Sequence, residues 1–283
     1  MQSKFVFCLS SSGFHRLHYT EWGDAANPRV LVCVHGLTRC GRDFDTLARA
    51  LGEHYRVICP DIVGRGESDW LANKANYNYP QYLNDMATLL AAVRAQSGAD
   101  SVHWLGTSMG GIVGMLLAAQ PHTPITRLVV NDVGSFIPKT ALERIAMYVG
   151  KIPPFPSVDA AVEAVRATSP FGPLSDTEWR VLTLPLIKQN AEGGWEFRYD
   201  PGIGDAFRAG PITDVDLLPF WNAIGCPVLV TRGAASDLLL KSTFDAMCSK
   251  PNVRGIEFPN VGHAPMFQHA DQIDAVTNFL TEP

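Results

Sequence analysis

Residues 105–111 read Leu105-Gly106-Thr107-Ser108-Met109-Gly110-Gly111, and this stretch determines how the rest of the chain is interpreted. It lies between an apolar strand-like run at 101–105 and an apolar helical pattern at 112–119. A G-x-S-x-G sequence in that context is typical of a tight turn that lifts a nucleophilic serine above the end of a sheet. Side chains at 106 and 110 would collide with neighbouring backbone, which explains both glycines. The helix that begins here also directs free N–H groups toward charge developing beside Ser108.

On both sides of this turn the chain alternates strand-like runs with helical patterns. Short β-branched or continuously apolar runs predict strands at 5–9, 16–22, 30–34, 55–59, 101–105, 127–131, 227–231 and 253–258. Apolar side chains at helical spacing predict helices at 42–51, 82–93, 112–119 and 268–280. Strands that alternate with helices in this way indicate an α/β fold built on a parallel sheet, preceded by an antiparallel hairpin that turns at 10–13.

The alternation is interrupted once, between about residues 136 and 221. Proline clusters there separate three helical patterns, at 141–149, 158–167 and 176–189. A helical block inside an α/β pattern indicates an insertion into the sheet domain. We therefore predict a core domain of residues 1–135 and 221–283, with a helical cap formed by residues 136–220.

Composition excludes several classes of protein. The chain has 283 residues, of which 46% are hydrophobic and 18% charged, so it can bury a large core and is not disordered. Its net charge of −5 and its lack of a basic tract argue against nucleic-acid binding. A membrane-spanning helix would need roughly 18 consecutive apolar residues, and no such run occurs. The apolar stretch at 5–9 is shorter than the about 7 residues of a signal-peptide core, so we expect a cytosolic protein without a membrane span.

The cysteines and glycines give no sign of a metal or cofactor. Six cysteines are present, with neither a Cys-x-x-Cys motif nor a Cys/His pairing at zinc spacing, and most lie in apolar runs. We expect free, mostly buried thiols. No G-x-G-x-x-G opens the first strand–helix unit, so the sequence predicts neither a dinucleotide cofactor nor a bound metal.

Four landmarks occur in the order typical of one large family. They are His35-Gly36 after a buried strand, Asp61-x-x-Gly64-x-Gly66-x-Ser68, the turn at Ser108, and Gly262-His263 near the end. In these landmarks the sequence resembles the α/β-hydrolase fold family, over essentially its whole length. The resemblance implies a mostly parallel, eight-stranded sheet flanked by helices, with a helical cap insertion.

A serine hydroxyl becomes a good nucleophile only when a base removes its proton. Among the eight histidines, His263 follows the last predicted strand, where the family places its catalytic histidine. The resemblance assigns His35 and Gly36 to shaping the oxyanion loop. It also places the oxyanion-binding N–H groups at Met109, after the nucleophile, and at Leu37, after the His-Gly pair.

The carboxylate that orients the histidine has two candidates in the chain order Ser…Asp…His. Asp237 follows the strand at 227–231 and matches the usual family position, and we favour it. Asp132, at the end of the strand at 127–131, occupies a site that some family members use instead. Asp61 precedes the serine, breaks the order, and is interpreted as a structural loop residue.

Substrate-binding residues are harder to identify. Arg39 lies close to the predicted oxyanion loop and could hold a substrate carboxylate, although a structural ion pair or a solvent-facing arginine is the alternative. Trp179 is one of several cap aromatics available to line a pocket, most of which would form the core of the cap. We take both as candidate substrate-binding residues.

The identity of the nucleophile limits the types of reaction that this chain can catalyse. Haloalkane dehalogenases and epoxide hydrolases on this fold use aspartate where this chain has Ser108, so serine favours acyl transfer. We expect a serine hydrolase acting on a small or medium carboxylic ester. The alternatives are a lactone or enol-lactone hydrolase similar to 3-oxoadipate enol-lactonase, a cofactor-free haloperoxidase, and a ligand receptor on the same fold. The sequence gives no indication of the oligomeric state.

Overall fold

A computed structural model describes residues 1–282 and places most of the strands in one central sheet. In chain order the strands are β1 (Gln2–Ser10), β2 (Gly13–Trp22), β3 (Val30–Val34), β4 (Arg56–Pro60), β5 (Val102–Thr107), β6 (Ile125–Asn131), β7 (Phe136–Ile137), β8 (Ile187–Gln189), β9 (Trp195–Phe197), β10 (Val215–Asp216), β11 (Val228–Gly233) and β12 (Val253–Phe258). The helices are α1 (Asp45–Leu51), α2 (Tyr79–Ser97), α3 (Met109–Ala118), α4 (Lys139–Tyr148), α5 (Val158–Thr168), α6 (Asp176–Thr183), α7 (Leu218–Ala223), α8 (Lys241–Cys248) and α9 (Ala270–Thr281).

The central sheet has eight strands in the order β1-β2-β4-β3-β5-β6-β11-β12. The β1–β2 hairpin is antiparallel and joins β4 antiparallel, whereas β4, β3, β5, β6, β11 and β12 run parallel to one another. The mostly parallel eight-stranded sheet predicted from the sequence is therefore confirmed. Because the parallel strands point the same way, their carboxyl ends, where the loops after β5, β6, β11 and β12 begin, share one edge of the sheet.

Both faces of the sheet are covered, which explains the continuously apolar strand sequences. All five residues of β3 are buried, and neighbouring residues face opposite sides: Val32 packs into a cluster with α2 and α3, and Cys33 into one with α1 and α9. Helix α2 begins where the Asn78 side chain accepts a hydrogen bond from the Gln81 N–H, and it ends at Gly98 in the left-handed conformation.

The segment between β6 and β11 contains the predicted insertion. Its two ends meet in a short antiparallel ribbon, in which β7 pairs with β10. Helices α4 and α5 lie close to their predicted positions, but the helix predicted at 176–189 is wrong beyond Thr183. Pro185 has no N–H to donate to the carbonyl of Val181, so the chain forms a 3₁₀ turn at Leu184–Leu186 and then strand β8, which pairs with β9.

Two further expectations concern the thiols and the membrane. All six cysteines are free; Cys8, Cys33, Cys40 and Cys59 are buried and the other two are half-buried, as predicted. Within residues 1–282, no helix combines the length and the apolar character needed to cross a bilayer.

Candidate active site

Ser108 occupies a strained turn between β5 and α3. Its backbone has φ 52° and ψ −116°, a conformation that a residue with a side chain rarely adopts. A Cβ atom on Gly106 would lie 2.1 Å from the Gly110 carbonyl oxygen, and one on Gly110 would lie 2.1 Å from the Val34 carbonyl oxygen. Both glycines are therefore required sterically, and together they allow Ser108 to project from the edge of the sheet.

His263 follows β12 and lies against the serine. Its Nε2 is 3.1 Å from Ser108 Oγ, and its Nδ1 is 2.7 Å from Asp132 Oδ2. The three side chains form one hydrogen-bonded chain, running from a hydroxyl that lines a pocket to a fully buried carboxylate. This arrangement suits proton transfer from Ser108 to His263, with the carboxylate holding the ring in the required tautomer.

Asp132 is held by groups at the end of the neighbouring strand. It comes directly after β6 with φ 53°, and its own N–H donates to the Thr231 carbonyl at 2.8 Å. Its Oδ1 accepts from the Gly233 N–H at 2.7 Å, and its Oδ2 accepts from Ser236 Oγ at 2.5 Å as well as from His263. These donors satisfy a carboxylate that is otherwise sealed from water.

The expectation that Asp237 contacts His263 is wrong, and the alternative, Asp132, occupies that place. Asp237 lies four residues beyond the end of β11, where the Ser236 N–H donates back to the Gly233 carbonyl. That turn directs the Ser236 hydroxyl inward to Asp132 and the next side chain outward. Asp237 is consequently 49% exposed, and both its oxygens accept hydrogen bonds from Arg144 of α4.

His35 fixes the loop that passes beside the nucleophile. Its Nε2 accepts from the Ile62 N–H at 2.9 Å, so its Nδ1 carries the proton and donates to the Gly36 carbonyl at 2.7 Å. Complete burial lowers the pKa of His35 to about 4, so the ring is neutral at pH 7. A Cβ atom on Gly36 would be 3.6 Å from Ser108 Cβ, so the loop lies next to the serine.

The two residues predicted to supply oxyanion-binding N–H groups are near Ser108, one in the neighbouring loop and one directly after it in the chain. Leu37 follows Gly36 and lines the pocket beside Ser108. Met109 is the first residue of α3, where backbone N–H groups lack an acceptor within the helix. The His35 hydrogen bond falls on the carbonyl of the peptide that carries the Leu37 N–H, which fixes the direction of that group.

Arg65 is a buried residue of this loop region that the sequence analysis did not identify. Its Nε donates to the Leu37 carbonyl at 2.9 Å, and its Nη2 lies 3.7 Å from Met109 Sδ. Its Nη1 donates to the Val63 carbonyl and to the Tyr82 hydroxyl. No carboxylate within residues 1–282 forms an ion pair with it, although it is fully buried. The guanidinium thus contacts both residues predicted to bind the oxyanion. In the sequence, the indication of this role was the position of Arg65 between Gly64 and Gly66.

Ser108 opens into a pocket between the sheet edge and the 136–220 insertion. The pocket is lined by both parts of the chain, and its space amounts to about 870 Å³ when the open solvent at its entrance is included. Its walls are largely apolar and include Ile145, Ile152, Val165, Phe171, Phe197 and Met266. The insertion also touches the histidine loop directly, because the Gly262 N–H donates to the Pro170 carbonyl at 2.7 Å.

Trp179 does not reach this pocket. It is buried in the insertion and stacks on Phe171, with ring centroids 5.6 Å apart, so Phe171 forms the wall and Trp179 supports it from behind. The expectation that Trp179 lines the pocket is therefore wrong. Its ring packs in one cluster with Val162 and Leu182 of the insertion and with Met266 of the loop that carries the histidine.

Arg39 does line the pocket, as its position in the sequence predicts, but its charge is paired. Its Nε and Nη2 donate to the two oxygens of Asp43 at 2.9 and 2.6 Å, and Nη2 also reaches the Leu182 carbonyl. Burial raises the pKa of Asp43, whereas Arg39 acts to lower it. Removing one partner of such a buried pair costs about 3–5 kcal/mol, compared with about 0–1 kcal/mol for an exposed pair, so Arg39 is held firmly by Asp43.

Comparisons with a family profile, with a related protein and with solved structures all find hydrolases. A profile of the Alpha/beta hydrolase family matches residues 31–276. The chain is 45% identical to a 3-hydroxybutyrate-oligomer hydrolase of Cupriavidus necator, over 98% of this chain and 97% of that protein. Among solved structures, a putative hydrolase of Rickettsia typhi superposes with a TM-score of 0.93 at 30% identity over the full length of both chains. An alpha/beta hydrolase of Novosphingobium aromaticivorans has a TM-score of 0.86 at 36% identity over 98% of both chains.

Proposed function

The chain belongs to the α/β hydrolase family and is an ester-cleaving hydrolase, and we propose that it works through an acyl-enzyme on Ser108. The observation that carries this proposal is the continuous hydrogen-bonded chain from Ser108 through His263 to Asp132. A serine in that contact has its proton acceptor already in place, at hydrogen-bonding distance.

In the first half of the reaction, Ser108 Oγ attacks the ester carbonyl carbon while His263 Nε2 takes the hydroxyl proton. Asp132 accepts a hydrogen bond from Nδ1–H and stabilises the imidazolium that forms. The carbonyl oxygen becomes an oxyanion, which the N–H groups of Leu37 and Met109 bind. When the tetrahedral intermediate collapses, His263 returns the proton to the leaving alkoxide, and the alcohol departs.

In the second half, water replaces the alcohol. His263 takes a proton from the water molecule as its oxygen attacks the acyl carbon of the Ser108 ester. The same N–H groups hold the second oxyanion, and collapse releases the carboxylic acid and restores the serine hydroxyl. Each proton that leaves a nucleophile passes through His263, so the buried carboxylate is needed in both halves.

The insertion at 136–220 serves in this proposal as a cap over a core of residues 1–135 and 221–283. Its contacts with the core lie beside the reacting groups, because Pro170 accepts from the Gly262 N–H next to His263. Apolar cap residues such as Ile145, Val165 and Phe171 would exclude water from the acyl chain. The cytosolic location expected from the sequence stays a prediction.

For the substrate, we propose small or medium carboxylic esters, and within them the esters of short hydroxyalkanoate oligomers. The support is the 45% identity, over nearly both full lengths, to a protein named for hydrolysing 3-hydroxybutyrate oligomers. The largely apolar lining of the pocket is consistent with methyl-branched acyl units.

The test is the initial rate on p-nitrophenyl esters of increasing acyl length and on linear 3-hydroxybutyrate dimer and trimer, for wild type and Ser108→Ala. We expect turnover in the wild type and a loss of kcat of at least about 10⁴-fold in the variant, with an unchanged thermal unfolding midpoint. Turnover that survives the substitution, or a folded wild type inactive on every ester, would contradict the proposal. Activity on p-nitrophenyl esters alone would leave the mechanism standing and remove the oligomer substrates.

A further inference from the structure

A second arginine lines the pocket from the cap side, and its charge is held differently from that of Arg39. Arg144 lies on α4, on the same face as Ile145 and Tyr148, which also line the pocket. Its partner Asp237 belongs to the core domain, and the two side chains are 30% and 49% exposed. This partner is therefore the solvated carboxylate of a loop, whereas Asp43, the partner of Arg39, is buried.

This difference decides which arginine is available to a ligand. A guanidinium carries five N–H donors, and the contact with Asp237 uses Nε and Nη2. A partner that is half in water loses little when another carboxylate competes for the same cation. Arg39 could be released only by leaving the Asp43 carboxylate uncompensated in the interior, which is unfavourable.

We propose that Arg144 binds the free carboxylate at the end of the substrate chain, either beside Asp237 or in its place. The inference rests on the proposed function, because a linear hydroxy-acid oligomer carries one such carboxylate. Arginine suits this role because its planar fork matches a carboxylate with two parallel hydrogen bonds. An enzyme anchored in this way cleaves free-acid oligomers from their carboxylate end and discriminates against chains whose end is neutral.

The experiment compares kcat/KM on two substrates that differ only at that end: linear 3-hydroxybutyrate trimer as the free acid, and the same trimer with a terminal primary amide. The variants are Arg144→Gln, Asp237→Asn and Lys139→Gln. Lys139 is the matched control, since it is another cation of α4, is 52% exposed, pairs with Glu143 and does not line the pocket.

We expect Arg144→Gln to lower kcat/KM for the free acid on the order of 10- to 100-fold, because a charged hydrogen bond is lost. The value of kcat/KM for the amide should change by less than about 3-fold. Lys139→Gln should leave both substrates unchanged. Asp237→Asn should retain or increase the rate on the free acid, because it removes the competing carboxylate.

Two results would overturn the inference. Equal losses on acid and amide in Arg144→Gln, reproduced by Asp237→Asn, would mean that the ion pair only latches the cap to the core. No change in the ratio of acid to amide would mean that Arg144 does not recognise the carboxylate.

If the wild type hydrolyses neither trimer, the proposal of oligomer substrates is contradicted. A binding measurement then still tests the inference about Arg144. Calorimetry on Ser108→Ala, with and without Arg144→Gln, measures affinity for the intact free-acid trimer. A weakening on the order of 10- to 100-fold in the double variant supports the role of Arg144. Equal affinity in the two proteins, or no binding to either, refutes it.

Discussion

Replacing Asp132 by asparagine is the most demanding test of the site, because the structure dictates how the new amide must lie. The Gly233 N–H donates to Oδ1 at 2.7 Å, and a backbone N–H cannot reverse its direction. The asparagine oxygen must therefore take the Oδ1 position, and its NH₂ group must take the Oδ2 position facing His263 and Ser236. An NH₂ group there donates to Nδ1, which places the ring proton on Nε2.

His263 in that tautomer donates toward Ser108 and cannot accept its proton. We expect kcat to fall on the order of 10⁴-fold, equivalent to about 5 kcal/mol of transition-state stabilisation. The measurement is kcat at saturating p-nitrophenyl butyrate for Asp132→Asn, with Asp237→Asn as the matched control. Because Asp237 is half-exposed and bonded to Arg144, the control should remain within a few-fold of wild type.

Thermal melts of both variants distinguish a catalytic effect from loss of structure, since asparagine keeps the size of the buried group and its bond to Gly233. The reasoning would be refuted if Asp132→Asn, folded, kept kcat within about 10-fold of wild type. It would also be refuted if Asp237→Asn produced the larger loss, because His263 would then be oriented by Asp237 during turnover.

Two further predictions concern the loop beside the serine. Arg65→Met removes the donor that holds the Leu37 carbonyl, so kcat should fall on the order of 10- to 100-fold with little change in KM. Arg65→Lys should recover part of the loss. A change confined to KM in steady-state kinetics would contradict this prediction. Burial lowers the pKa of His35 to about 4, from about 6.5 in an unfolded chain. The contribution of His35 to the free energy of unfolding is therefore fully present above about pH 6.5 and decreases as the pH falls toward 4. Urea unfolding measures the free energy of unfolding at pH 7 and at pH 5, and His35→Gln should reduce the difference between the two values by about 2 kcal/mol. The same difference in wild type and variant would show that the His35 ring titrates normally.

The parts of the site that the sequence predicts are those fixed by short-range sterics. Gly106 and Gly110 exist because a Cβ at either position would overlap a carbonyl oxygen, so the turn around Ser108 is recognisable in the sequence itself. His263 is recognisable for a related reason, since Gly262 must leave room for Pro170 of the cap. Such constraints require glycine at a fixed position, so they leave a pattern in the chain even where the neighbouring group is distant in sequence.

The choice between Asp132 and Asp237 depends on long-range geometry that leaves no such pattern. Both follow strands that end at the same sheet edge, and only the turn after β11 directs Ser236 inward and Asp237 outward. Arg65 was missed because two of its hydrogen bonds go to backbone carbonyls, which any sequence supplies, and its side-chain partners, Tyr82 and Met109, come close to it only through folding. The cap was predicted as helical because helical spacing is local, whereas the pairing of β8 with β9 depends on residues brought together by folding.

The ribbon formed by β7 and β10 has a consequence for how enzymes on this scaffold acquire new specificity. Because Ile137 is paired with Val215, the two ends of the insertion lie side by side. A segment with adjoining ends can be exchanged as a cassette, with the strands and the reacting groups kept in register. The replacement must still offer a carbonyl to the Gly262 N–H, where Pro170 does so here. Chimeras with foreign caps are thus limited less by the splice points than by their contacts with the core, among which the one between Gly262 and Pro170 lies beside the histidine.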